Sequence, residues 1–158
     1  MKRLIAGTVG VAAAIAVAGA AVDASGHAVH ASRTTVLRID FKTTALKIND
    51  VAPKGHSPGD VGLVSGPLFA AGSTRRIGRY QGVCYTTVPK SDSECTFSFA
   101  LAGGQITVIS AYGKGFNGSK VVHDAIVGGT RAYRNARGEG IGVETSDTTG
   151  RETIRLTR

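Results

Sequence analysis

The sequence predicts an all-β domain, built as a sandwich or a barrel of short strands, that follows an N-terminal export signal. Beyond the first thirty or so residues no helical period of useful length is present. Instead, about eight short segments alternate apolar and polar residues and are separated by Gly, Pro, Ser and Asp. The chain also carries 2 cysteines, an even number that predicts one disulfide in an exported protein.

The N-terminus has the pattern of a secretory signal peptide. Lys2 and Arg3 precede an apolar run over 4–22, and small residues lead to a cleavage motif at 29–31. We therefore assign 1–31 to a signal peptide and 32–158 to a secreted β-barrel domain. The alternative is a membrane anchor, since the run approaches the ~20 residues that span a bilayer. Its Ala- and Gly-rich composition favours cleavage, so no stable membrane anchor is expected.

The charge of the chain is strongly positive, with a formal net value of +8 at pH 7. Cleavage after residue 31 removes two basic residues and one acidic residue, which leaves +7. A basic secreted protein suits an anionic wall polymer, although the charge also serves solubility alone. Nucleic acid is not a predicted partner, because the arginines are dispersed, Trp is absent and no basic–aromatic alternation offers a stacking platform.

The predicted strands follow one another through the rest of the chain. In the first, Leu37, Ile39 and Phe41 share one face, and a polar loop with two prolines follows at 49–59. The eight segments span 34–48, 60–71, 75–88, 94–102, 105–113, 121–127, 139–146 and 151–157.

Cys84 and Cys95 are predicted to form the disulfide. Closing a loop of about twelve residues should stabilise the fold by roughly 3 kcal/mol. Two cysteines cannot supply a four-ligand zinc site, and His56 and His123 lack metal-ligand spacing to them. We therefore predict no metal, and the absence of cofactor motifs predicts no cofactor.

Two independent pairings predict one apolar sheet face. A two-residue hairpin within 102–105 places Leu101 opposite Ile106, and the disulfide places Tyr80 opposite Phe99. Both put the same residues on one side, which either fills a barrel interior or forms an oligomer interface. That face comprises Tyr80, Phe97, Phe99, Leu101, Ile106, Val108 and Tyr112. The candidates for contact with a ligand are Tyr80, Phe97, Phe99 and Tyr112.

A resemblance to a known family rests on four passages. IVGGTRAYRNARGEG at 126–140 resembles the (I/V)-x-GGTG-x-(Y/F)-x-x-A-x-G signature of the dirigent proteins and the allene oxide cyclase barrel family. Further similar passages are GDVGLVSGPLF at 59–69, IGRYQGVCYTTV at 77–88 and ECTFSFALAGGQITVISAYG at 94–113. The resemblance implies a single eight-stranded antiparallel, calycin-like β-barrel with a pocket at its core, commonly assembled as a trimer.

The chain departs from the family pattern at three points. Arg131 occupies the last glycine position of GGTG, so that either this position does not need a positive φ or the turn is strained. The predicted disulfide removes the free thiol of Cys84, which lies near a cysteine implicated in the plant cyclases. The first-strand pattern of those cyclases offers only Asp40 here. True allene oxide cyclase activity is therefore not expected.

The candidate catalytic residue is Asp40, which resembles the first-strand acid of dirigent proteins. In an apolar pocket its pKa would rise and it could act as acid or base. Alternatively it lies on the outer face with Arg38 and Lys42. His123 and Asp124 are adjacent on a strand and point to opposite faces, so they do not form a dyad. Three arginines, at 131, 134 and 137, either gather an anion or are simply solvated.

The functional hypothesis is a secreted barrel that binds a small apolar or aromatic molecule in its core. It would steer a cyclisation or isomerisation without a cofactor, largely by confinement, as the resemblance implies. Whether it is an enzyme stays open at this point. The alternative is a non-catalytic secreted barrel that binds an anionic cell-wall polymer or a protein partner.

Overall fold

The computed structural model describes residues 34–112 and 121–157 and shows an almost entirely β structure. Its strands are β1 (Thr34–Lys42), β2 (Ala45–Asn49), β3 (Val61–Ala70), β4 (Arg76–Val88), β5 (Asp92–Leu101), β6 (Gly104–Tyr112), β7 (Val121–Gly129), β8 (Arg137–Ser146) and β9 (Thr149–Thr157), with a 3-10 turn at Arg131–Tyr133. All strand pairs are antiparallel, in the order β1-β9-β8-β7-β6-β5-β4-β3-β2. Pairing of β1 with β3 closes eight of them into a barrel, which confirms the predicted fold.

The first predicted segment is two strands rather than one. β1 ends at Lys42, and β2 begins at Ala45 as a ninth strand that pairs only with β3. The chain bends at Thr43 and Thr44, whose N–H groups donate to the carbonyls of Thr148 and Ser65. Because these two bonds point to different neighbours, β1 stays in the barrel while β2 runs on beyond its rim.

The predicted apolar face lines the barrel interior. Ile106 and Val108 have no exposed surface, and Phe99 and Tyr80 are nearly as buried. Alternate residues of β6, β7 and β9 follow the same rule, with buried positions at every second residue. The face opposite, with Arg79 and Gln81 among its members, is exposed. The interior therefore holds the core, as expected when a sheet closes on itself.

The predicted hairpin between β5 and β6 is wrong by two residues. Leu101 pairs with Gly104, and Phe99 pairs with Ile106, so the turn consists of Ala102 and Gly103. A shift of two residues leaves every side chain on its original face, since side chains alternate with a period of two. For that reason the prediction that these residues share one face is confirmed, although the turn was misplaced. The β4–β5 register is as predicted, with Cys84 opposite Cys95 in a disulfide.

The GGTR turn closes one end of the barrel. Gly129 is required there, because a Cβ at this position would meet the Gln105 carbonyl oxygen at 2.7 Å and Tyr133. Arg131 has a φ of 51°, so the position does adopt the left-handed conformation and the arginine is strained. Tyr133 packs on the core, and Ala136 is completely buried. We call this end, with the aliphatic core above it, the closed half.

Two predictions lie beyond the described residues. The signal peptide at 1–31 and the boundary at residue 32 stay predictions for that reason. In the described ranges, 34–112 and 121–157, no helix is long and apolar enough to cross a bilayer. The disulfide is typical of exported proteins and supports secretion.

Candidate functional site

A cavity of about 70 Å³ occupies the other half of the barrel, which we call the open half. It lies at the end where β1, β6 and β8 finish and where the β8–β9 turn is placed. Aromatic rings from four strands line it, and the four predicted ligand-contact residues are all among them. The principal apolar lining residues are Phe41, Tyr80, Phe97, Phe99, Tyr112 and Val122.

Two buried carboxyl groups form the polar part of this wall. Asp124 on β7 is 6% exposed and Glu152 on β9 is 3% exposed. They approach each other across β8, whose residues opposite them are Gly140 and Gly142. A Cβ at Gly140 would stand 2.5 Å from Glu152 Oε1 and 3.2 Å from Asp124 Oδ2. Because Gly140 and Gly142 have no side chains, β8 leaves the space in which the two carboxyl groups approach each other.

A shared proton explains the hydrogen bonding of this pair. Ser110 donates its hydroxyl to Asp124 Oδ1. Among the described residues, Glu152 Oε1 is the buried side-chain oxygen left without a partner when both acids are ionised. A proton on Glu152 makes this carboxyl the donor in its hydrogen bond to Asp124. Asp124 is then a carboxylate with two donors, and Glu152 is a neutral acid.

The electrostatics agree with that assignment. Burial first, and then the negative charge of Asp124, raise the pKa of Glu152 to about 9. Burial also raises the pKa of Asp124, but its hydrogen bonds to Ser110 and Glu152 oppose part of the rise. Two carboxyls in contact cannot both ionise in a poorly solvated site. Glu152 therefore retains its proton at neutral pH.

Two tyrosine hydroxyls complete the polar groups of the open half. Burial is the main cause that raises the pKa of Tyr112, and the nearby charge of Asp124 adds to it. Burial likewise raises the pKa of Tyr80, whose hydroxyl lies 2.5 Å from Thr43 Oγ1. Both phenols are therefore protonated at neutral pH. At the rim, burial raises the pKa of Glu144.

Asp40 lies outside the barrel rather than in the cavity. Its carboxylate accepts hydrogen bonds from Arg151 Nε at 2.8 Å and from the Gly72 N–H at 2.6 Å. These bonds, that of Arg151 foremost, lower the pKa of Asp40. The expectation of a raised pKa is thereby corrected, and the outer-face alternative is the observed one. The cause is the strand period: Ile39 and Phe41 face inward, so the residue between them faces out.

The sequence interpretation missed Asp124 and Glu152, although a signal for them exists. Asp124 is in phase with Val122 and Ile126, and all three are buried. Glu152 is likewise in phase with Ile154. An acid two residues away from apolar neighbours on a strand shares their face, whereas an acid next to them does not. His123 points outward, away from Asp124, as predicted.

The three arginines of the closed end do not gather around a common point. Arg137 donates to the carbonyls of Val127 and Ala136. Arg131 and Arg134 are exposed. Within 34–112 and 121–157, no group of three or more His, Cys, Asp or Glu side chains is arranged to hold a metal ion. The carboxyl pair in the cavity is therefore the candidate site.

Known structures share this barrel, although no protein-family model and no curated protein sequence matches the chain. Pyocyanin demethylase is 23% identical with a TM-score of 0.67, over 77% of this chain and 99% of that one. A pterocarpan synthase dirigent protein is 20% identical with a TM-score of 0.67, over 90% and 99%. An exo-specific intermolecular Diels–Alderase is 16% identical with a TM-score of 0.67, over 82% and 100%. The predicted resemblance to the allene oxide cyclase and dirigent barrels is confirmed at the level of the fold.

Proposed function

We propose that the open half of the barrel binds a small apolar or aromatic molecule and steers its cyclisation or isomerisation without a cofactor. The observation that carries this proposal is the pair of carboxyl groups, Asp124 and Glu152, buried in the wall of a cavity lined by aromatic rings, with the pKa of Glu152 raised to about 9. Such a pair supplies an acid and a base at one pH. The enzyme class proposed is an acid–base isomerase or cyclase.

Glu152 is placed to pass a proton between the cavity and Asp124. A Cβ at Gly142, which lines the cavity, would stand 2.9 Å from Glu152 Oε2, whereas Oε1 lies over Gly140 beside Asp124. When a ligand hydroxyl gives a proton to Oε2, Oε1 releases its proton to Asp124. The reverse transfer returns a proton to another atom of the ligand. The net result is a proton shift within the ligand with the pair restored.

The aromatic wall supports the second part of the proposal, which is orientation. Phe41 and Tyr80 meet edge to face with ring centroids 5.6 Å apart, and Phe97 and Tyr112 do so at 6.5 Å. These contacts hold the rings in place before any ligand enters. A rigid apolar wall confines a reactive molecule to few conformations, which lowers the entropic barrier to ring closure. The shared fold with a dirigent protein and a Diels–Alderase supports the same class of chemistry.

Native mass spectrometry of the protein purified from the organism that makes it tests the binding step. We expect one small apolar or aromatic molecule per barrel. Val64→Trp should abolish its retention, because Val64 lines the cavity. Leu63→Trp is the matched control, since Leu63 is 41% exposed and lies next to it on the opposite face. An empty wild-type barrel, or equal loss in both variants, contradicts the proposal.

The chemical step is tested with the molecule so identified. In deuterated water, wild-type protein should catalyse its rearrangement or exchange one of its C–H hydrogens for deuterium. Glu152→Gln should abolish both. Asp40→Asn should change neither, because Asp40 lies outside the cavity. Retention of the ligand without any turnover in wild type would contradict the acid–base role and leave binding alone.

The alternative of a polymer-binding barrel rests on the positive net charge, but three of the arginines are already engaged within the barrel. Arg151 and Arg155 are paired with Asp40 and Glu139 at 2.8 and 2.9 Å. Arg137 is bonded to backbone carbonyls. This alternative, like the trimer, stays a prediction.

A further inference from the structure

A groove of about 510 Å³ opens beside the cavity at the open half. Its floor includes Val64, and its outer wall includes Leu46 and Ile48 of β2. Val64 and Thr43 line both the groove and the cavity. The two spaces are therefore neighbours along one wall rather than separate sites.

The wall of the groove continues the inner face of the barrel. Leu46 pairs with Val64 and Ile48 pairs with Gly62, so β2 extends β3 on the side that faces the interior. Leu46 is 61% exposed and Ile48 is 64% exposed. These are large apolar side chains on a concave surface, where exposure has a cost that a bound apolar group would remove.

The cavity is too small to enclose a typical ligand, so we expect the ligand to extend beyond it. A cavity of about 70 Å³ is small against the roughly 300–1,000 Å³ typical of small-molecule sites. The groove supplies the missing volume at the point where the cavity opens. A protein partner resting on the rim would not reach Asp124 and Glu152, whereas one elongated small molecule reaches both regions.

We infer that the ligand is an elongated amphiphile whose aromatic, hydrogen-bonding head lies in the cavity and whose apolar arm lies along Leu46 and Ile48. This inference rests on the proposed function, because it uses the same cavity. The head carries an O–H or N–H group, since the carboxyl group of Glu152 lines the cavity and carboxyl oxygens accept hydrogen bonds.

Binding of para-alkylphenols tests this inference, with calorimetry on the full folded chain. From para-ethylphenol to para-hexylphenol, affinity should rise about fourfold per added methylene. The double variant Leu46→Asn, Ile48→Asn should flatten that rise and leave the affinity for para-ethylphenol unchanged. Leu63→Asn is the matched control, since Leu63 is exposed and does not line the groove. Melting curves verify that both variants fold.

Each outcome separates this inference from the proposed function. If para-ethylphenol binds and chain length has no effect, the apolar arm site is overturned and the cavity stands. If the rise with chain length is equal in the double variant and in Leu63→Asn, the assignment to β2 is overturned. If no phenol of either length binds, both the inference and the proposed function fail. If Val64→Trp does not change the affinity for para-hexylphenol, the idea that one ligand occupies both spaces is overturned.

Discussion

The closed and open halves of the barrel are built from the same strands and differ in what those strands bury. In the closed half, Leu68, Ile106, Ile154 and Leu156 have no exposed surface and are packed with other aliphatic side chains. In the open half, the same inward positions carry two carboxyl groups and two tyrosines around a cavity. Burying carboxyls costs stability, and the aliphatic half offsets that cost. The difference indicates that one half stabilises the fold and that the other contains the proposed site.

The largest expected effect comes from the closed half. Leu68→Ala should lower the free energy of unfolding by about 2–5 kcal/mol, because it leaves a cavity among completely buried neighbours. Leu46→Ala, at a position 61% exposed, should change it by less than about 0.5 kcal/mol. Urea denaturation of both variants measures the contrast. Equal losses would mean that the closed half is not the stabilising half.

The disulfide should act on stability alone, even though it lies toward the open half. Replacing Cys84 and Cys95 together with alanine should cost about 3 kcal/mol, since the loop of the unfolded chain is no longer closed. Thermal melting measures this loss. Ligand retention at low temperature should be unchanged. If binding disappears while circular dichroism still shows the fold, the structural interpretation of the disulfide is wrong.

The carboxyl pair predicts a stability that falls as pH rises. The pKa of Glu152 is about 9 in the folded chain, against 4.5 for a glutamate carboxyl exposed to water. Between these values the unfolded chain releases a proton that the folded chain retains, so unfolding becomes easier with rising pH. Glu152→Gln, which is always neutral, should therefore be more stable than wild type at pH 8 and equal to it at pH 4.

Melting curves at the two pH values measure this effect, with Glu139→Gln as the control. Glu139 is exposed and paired with Arg155, so its replacement should not reproduce the pH-dependent gain. A stability difference between Glu152→Gln and wild type that does not vary with pH would show that Glu152 is ionised in the folded chain.

The smallest expected effect concerns the strained turn of the closed half. Arg131→Gly should raise the free energy of unfolding by about 0.5–1 kcal/mol, because glycine adopts a φ of 51° without a Cβ penalty. Arg134→Gly is the control at a φ of −55°, and it should be neutral or slightly destabilising. Chemical denaturation measures both. A loss of stability in Arg131→Gly would mean that the arginine side chain makes a contact worth more than the strain.

The sequence predicted the buried face of the strands better than it predicted the carboxyl pair, for a physical reason. Alternation of apolar residues determines which side of a strand is buried, so the inward face of β4 to β6 and the Cys84–Cys95 pairing were predictable. Turn position was less predictable, because either Ala102–Gly103 or Gly103–Gly104 satisfies the composition of a two-residue turn. The error did not change which face is buried.

Whether an acidic residue faces the cavity depends on its position in the inward–outward alternation of its strand, and not on the residue types beside it. Asp40 was chosen because apolar residues adjoin it, and that arrangement places it outside. Asp124 and Glu152 meet only because β8 places glycines between them, at Gly140 and Gly142. β7 and β9 are not neighbours in the sheet order, so their approach across β8 depends on barrel curvature. No local pattern in the sequence specifies that distance.

The central claim is that the open half holds a neutral carboxyl group at physiological pH. Carbon-13 NMR of the protein labelled at glutamate carboxyls, titrated from acid to alkaline pH, tests it directly. One glutamate signal should stay in its protonated position at pH 7 and titrate at about pH 9, and this signal should be missing from Glu152→Gln. If every glutamate carboxyl is ionised at pH 7, the shared proton and the acid–base role built on it are contradicted.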